Sequence, residues 1–184
     1  MLQLVVFLTG CCLVATGHAD ECKTGPFKAE EVLGGPGGSG VYRLVQSTFP
    51  QDETCVYVGP PQTTPSKESP ATYYWGWKKD GTWEKKTGTV YPEGENMIYQ
   101  DADFGTTNST LVYSEKGQCN VILFHGQHDS LKGGPFLEWF QHTGGSADSQ
   151  EVQCCKKRFD DELKELGKSD ADDKSKDCEP YPTS

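Results

Sequence analysis

Two cysteines stand side by side in EVQCCKKRF, residues 151–159. Thiols at Cys154 and Cys155 can form disulfides, ligate a metal or attack a substrate. A bond between neighbours closes a ring far from ordinary disulfide geometry, so each needs a partner elsewhere. The chain has 8 cysteines, and Cys11 and Cys12 lie in an apolar stretch at its start. Residues 1–19, MLQLVVFLTGCCLVATGHA, read as a signal peptide, with Gly17 and Ala19 at the small-residue positions before a cleavage site. Export leaves Cys22, Cys55, Cys119, Cys154, Cys155 and Cys178, an even set that reads as a disulfide framework. No C-x-x-C pair exists, which argues against zinc. No G-x-S-x-G or comparable nucleophile motif occurs either. His125 and His128 flank one turn and His142 falls at the far end of the same hairpin, so a three-histidine metal site is not expected. The expectation is a binding protein with no cofactor rather than an enzyme.

The elements that must carry these cysteines are mostly strands. Segments of period two, rich in aromatic and β-branched residues, fall at 41–49, 54–59, 71–79, 82–91, 95–102, 110–115, 119–125 and 136–142. Asp80-Gly81 and Lys116-Gly117 mark tight turns between them. Four prolines in GPPQTTPSKESP, residues 59–70, make that stretch a loop. Many short strands joined this way predict an antiparallel barrel or sandwich. GGPGGSG at 34–40 matches G-x-G-x-x-G, but a strand follows it rather than a helix, so it is not a dinucleotide site. The net charge of −10 disfavours nucleic acid and anionic membrane surfaces and suits attraction of small cations.

Residues 149–166 change period. Val152, Cys155, Phe159, Leu163 and Leu166 step by three and four along one helix face, with an expected capping box at Asp148 and Glu151 and a stop at Gly167. Cys155 lies on the apolar face and Cys154 on its flank, so the two reach different places. Cys119 at a strand start is a natural partner for the first, and Cys22 for the second, although six cysteines leave 15 connectivities open. Residues 20–166 form the domain, and 167–184 a polar tail tethered by Cys178. Asn108, in Asn108-Ser109-Thr110, is an expected N-glycosylation site in an exposed turn.

The cysteine order C…C…C…CC…C and the runs YRLVQSTF…CVYV, CNVILFH, FLEWF and CCKKRFDDEL resemble the salivary lipocalins of ticks, over nearly the whole chain after the leader. That resemblance implies an all-β fold: an eight-stranded antiparallel lipocalin-like (calycin) barrel with a C-terminal α-helix packed outside. It implies the pairs Cys22–Cys154, Cys55–Cys178 and Cys119–Cys155. It also implies secretion into saliva, a monomer, and capture of a small host mediator of inflammation or haemostasis.

If Cys119 bonds the helix it points outward, and alternation sends Asn120, Ile122 and Phe124 inward. Tyr73, Trp75 and Trp77 share one large aromatic face, placed inside. Met97, Tyr99 and Asp101 share another, as do Leu111 and Tyr113. The amine-binding members that the chain resembles carry inward acids in Cys-Asp-(Val/Ile/Leu) and Glu-Leu-(Trp/Tyr). Here Asn120 replaces the first acid, and Leu137-Glu138-Trp139 transposes the second. With Trp139 inward, Leu137 is inward and Glu138 outward. The expected ligand site is therefore Tyr73, Trp75, Trp77, Tyr99, Asn120, Ile122, Phe124, Leu137 and Trp139, an apolar pocket suited to a leukotriene, another fatty acid derivative or a sterol. Asp101, Asp103 or Glu84 could supply a charge, which keeps histamine or serotonin as the alternative. A further alternative is an inhibitor of a host plasma protein, such as a complement component, acting through loops 59–70 and 143–149.

Overall fold

The computed structural model describes residues 22–33, 40–50, 52–126 and 134–183. The expected signal peptide, most of the 34–40 lead-in and His128 lie outside the described residues. Eight strands form the barrel: β1 Tyr42–Ser47, β2 Tyr57–Gly59, β3 Ala71–Lys79, β4 Thr82–Glu93, β5 Asn96–Asp101, β6 Gly105–Glu115, β7 Cys119–Phe124 and β8 Phe136–His142. Each pairs antiparallel with the next, and β1 closes the ring by pairing with both β2 and β8. The β3–β4 turn has Asp80 and Gly81 both at positive φ, 51° and 81°. That backbone matches the right-handed twist of the strands it joins.

Two helices complete the fold. The short α1, Ala29–Leu33, sits against one end of the barrel, where the Ala29 N–H donates to the Gly94 carbonyl at 3.0 Å. The long α2, Gln150–Glu165, packs outside on β6, β7 and β8. Its cap is not the expected capping box at Asp148. Ser149 is the N-cap, and its hydroxyl accepts from the Val152 N–H at 3.3 Å. Gly167 ends the helix at φ 66°, as its sequence position predicts.

The bridges Cys22–Cys154, Cys55–Cys178 and Cys119–Cys155 are all formed. The last lies inside an outer core, where Tyr113, Val121, Leu137 and Trp139 of the sheet meet Val152 and Phe159 of α2. A bulge between Leu111 and Tyr113 overturns the expectation that they share a face. The extra residue turns Tyr113 out under the helix, while Leu111 stays inside with Tyr73, Val90, Met97 and Ile122. β6 also begins at Gly105 rather than 110, so Asn108 lies within a strand, opposite Ile98, and not in a turn. The polar residues 105–110 conceal this strand from a hydrophobicity pattern.

The tail does more than hang from Cys178. Asp172–Asp173 form β9, which pairs with Gln46 and Ser47 of β1. Beyond it, Cys178 and Tyr181 are buried against Val41, Cys55 and Tyr57, flanked by Tyr74 and Trp83. The polar composition of the tail hides these two apolar anchors.

Phe159 is 1% exposed and stacks at 6.2 Å on Trp139. Phe159→Ala leaves a void between helix and barrel and should destabilise the protein by about 3–5 kcal/mol. Chemical denaturation will read this as a lower midpoint with an unchanged slope.

Candidate functional site

The barrel encloses a cavity of about 600 Å³, within the usual range for small-ligand sites. Alternation along each strand decides what lines it. Tyr73, Trp75 and Trp77 of β3 face it, as do Tyr99 of β5 and Asn120, Ile122 and Phe124 of β7. These seven of the nine expected residues come together. Met97 and Asp101 also line it, as the shared face with Tyr99 requires.

Leu137 and Trp139 do not. Cys119 is held outward by its bond to α2 and pairs across the hairpin with Gln141. The same register sets Val121 opposite Trp139 and Leu123 opposite Leu137. Direct cross-strand partners share a face, so Trp139 and Leu137 go outward into the core beneath the helix. Their neighbours Glu138 and Phe140 go inward and line the cavity. The expected orientation of Glu138 is thus reversed. An outward Cys119 orients β8 only once the register is known, and a slip by one residue reverses every side chain of that strand.

Glu138 is 8% exposed. It accepts from the Ser47 hydroxyl at 3.3 Å on the adjoining strand. Burial pushes its carboxyl up to about 7, against the lowering effects of the Ser47 hydrogen bond and the Lys174 charge. Tyr99 faces it across the cavity, and its phenol is raised by burial and then by the Glu138 charge.

The other cavity acids already have partners. Asp101 accepts from the Tyr73 hydroxyl at 3.2 Å and from the Asp103 and Phe104 N–H groups at 2.9 and 2.8 Å. Gly88 lies between Tyr73 and Asp101 in the sheet, and a Cβ there would sit 2.8 Å from the Tyr73 ring and 2.9 Å from the Asp101 Cβ. A glycine at this place lets the tyrosine cross to the acid. Asp103 pairs with Lys86 at 3.3 Å. Asp52 and Glu53 are exposed at the rim. Glu84 does not line the cavity. Among the described residues, Glu138 is therefore the one buried carboxylate aimed at the cavity.

Aromatic faces surround the same space. Trp75 packs at 5.4 Å on Trp77 and at 5.5 Å on Phe104. The Trp75 Nε1 is buried with no hydrogen-bond partner among the described residues. Asn120 accepts from the Ser114 hydroxyl at 2.8 Å, which fixes its amide at the wall. Such a site offers one anion, ring faces that attract cations, and a spare donor.

A closed eight-stranded antiparallel barrel, with a helix packed outside and a cavity within, is the lipocalin fold. The solved bovine odorant-binding protein, as a deswapped triple mutant, shares it at a TM-score of 0.50 and 16% identity, over 78% of this chain and 98% of that one. No protein-family model matches the chain. Within the class the chain resembles the tick salivary lipocalins, as its cysteine order indicated. It is 26% identical to Moubatin of Ornithodoros moubata over 123 residues, which is 66% of each chain. It is likewise 26% identical to AM182, solved as a serotonin complex, with a TM-score of 0.69 over 88% of this chain and 99% of that one.

The raised carboxyl gives a sign for stability. A folded Glu138 near 7, above its ordinary 4.5, makes the native state bind more protons than the unfolded chain between those values. Stability is then highest below about pH 4.5 with respect to this group and falls as pH rises through 7. The full difference is on the order of 3 kcal/mol. Urea denaturation at pH 5 and pH 8 should show this fall in the ligand-free protein, and Glu138→Gln should remove most of it.

Proposed function

We propose that the chain is a secreted lipocalin that captures a small aromatic amine inside its barrel, with Glu138 as the counter-ion. The observation that carries this is the inward, buried Glu138. The apolar preference drawn from sequence depended on that residue facing out. An ammonium enters a dry site only if a carboxylate meets it, because an unpaired buried cation is costly by several kcal/mol. Trp75, Trp77 and Phe104 would hold the ring, and the Trp75 N–H would donate to a polar substituent on it. The serotonin complex of AM182 supports the reading through likeness. Secretion into saliva, removal of a host mediator and a glycan at Asn108 belong to the same proposal; the three disulfides support export.

One observation favours a second ligand class. With Glu138 near neutrality, its protonated form leaves a largely apolar cavity that can take a fatty acid derivative. The two readings separate with pH. An amine needs the carboxylate, so its affinity should fall about tenfold per pH unit below 7, and its binding near pH 7 should release a proton. Calorimetry with serotonin, in buffers of different ionisation enthalpy, will show that release. Glu138→Gln should weaken serotonin at pH 8 by about 100-fold or more, as expected for removing one member of a buried pair. Arachidonate, which needs the neutral form, should instead gain about tenfold at pH 8 from that substitution. Binding of arachidonate alone would replace the amine with the lipid.

A further inference from the structure

We infer, resting on the amine-binding reading, that Lys174 is a positioning residue of the ligand site. Carried into the barrel wall by the C-terminal tail, it offers Glu138 a positive charge in the empty barrel and yields the carboxylate to an arriving ammonium.

The tail fills a seam. β1 pairs with β2 only at Tyr42 and Arg43. Its next stretch, Gln46 and Ser47, pairs instead with Asp173 and Asp172. The Lys174 N–H donates to the Val45 carbonyl at 2.9 Å, and the Lys174 carbonyl accepts from the Cys55 N–H at 2.7 Å. Residue 174 is thus inserted between β1 and the segment that enters β2, and the Cys55–Cys178 bridge clamps it there. Cross-strand partners share a face, and so do alternate residues of one strand. Asp172 therefore lies on the side of Ser47, from which Ser47 Oγ reaches Glu138 Oε1 at 3.3 Å, and the Lys174 Nζ meets Asp172 on that side.

A lysine so placed is unusual. Its side chain is 4% exposed, and its Nζ meets Asp172 Oδ2 at 3.2 Å, an acid that is itself 70% exposed. A buried ammonium next to a half-solvated acid is drawn to any further negative charge nearby, and Lys174 acts on the Glu138 carboxyl by lowering its proton affinity. The groups facing Glu138 are Ser47 of β1, Tyr99 of β5, and Lys174 with Asp172 behind it on the tail. Ile122, opposite it on β7, is apolar. Lys86, Asp101 and Asp103 line the same cavity and are engaged with partners of their own. Of the groups facing Glu138, Lys174 supplies the one positive charge, Lys86 being paired with Asp103. When a ligand ammonium takes Glu138, Lys174 keeps Asp172, so the exchange strands no buried charge.

The test reads the Glu138 carboxyl directly, by carbon NMR of protein labelled at the glutamate side-chain carbon, with Glu138→Gln assigning the signal. Lys174→Met should raise its titration midpoint by about one unit or more. The exposed-side variant Asp172→Asn leaves the lysine wholly to Glu138 and should lower the midpoint. Lys174→Arg should restore the wild-type value. Serotonin titrated across pH should show its affinity loss moving in the same direction as the midpoint in each variant. Circular dichroism and disulfide mapping confirm the fold, and Asp172→Asn keeps the test alive if Lys174→Met does not fold. An unmoved midpoint in either folded variant overturns the inference, whatever serotonin does. Midpoints that move in a wild-type background that takes no serotonin uphold Lys174's role and sink the amine reading.

Discussion

In a closed antiparallel barrel, one side chain fixed to the outside fixes its whole strand, and the ladder hands that choice to each neighbour. The bond between Cys119 and Cys155 performs this service here. It ties the first residue of β7 to a helix that can only lie outside. What faces the cavity on β7 and β8 follows from it: Asn120 and Ile122 on one strand, Glu138 and Phe140 on the next. The same constraint drives Trp139 outward to give Phe159 its partner, so the chemistry of the interior and the seating of the helix have one origin.

The interior that results joins two opposed demands. Apolar burial makes a charged carboxylate unfavourable, and the site offsets this with a hydroxyl from Ser47 and a cation from the tail. Asp101 shows the contrary arrangement in the same cavity. Three donors converge on it, so it serves as the cap of the β5–β6 turn and has little left to offer a ligand. Two acids of one barrel thus differ in role because of what touches them.

Much of the fold was legible in the sequence. The eight strands, the helix and its glycine stop followed from periodicity and turn residues, and the disulfide pairing followed from the resemblance. Seven of the nine expected pocket residues line the cavity because strict alternation carried them there. The failures have specific physical causes. β7 ends at Phe124 and β8 begins at Phe136, so no two-residue turn announces their register, and a preference for aromatic residues inside put Trp139 where Glu138 belongs. The bulge at Leu111–Tyr113 adds one residue with no sequence mark and reverses a face. Asn108 sits in the half of β6 that reads GTTNST, small polar residues that look like a turn. Composition also hid the tail, since two buried side chains among many charged ones do not alter its average.

The barrel is sewn together from the far ends of its chain. Cys22 bonds a residue 132 positions later, and Cys55 one 123 positions later. A growing polypeptide emerges in order, so the seam beside β1 stays open until residues 172–174 have been made. During synthesis the first strands must therefore wait with one edge unpaired. A barrel interrupted before residue 172 would lack a piece of its wall as well as a loose end.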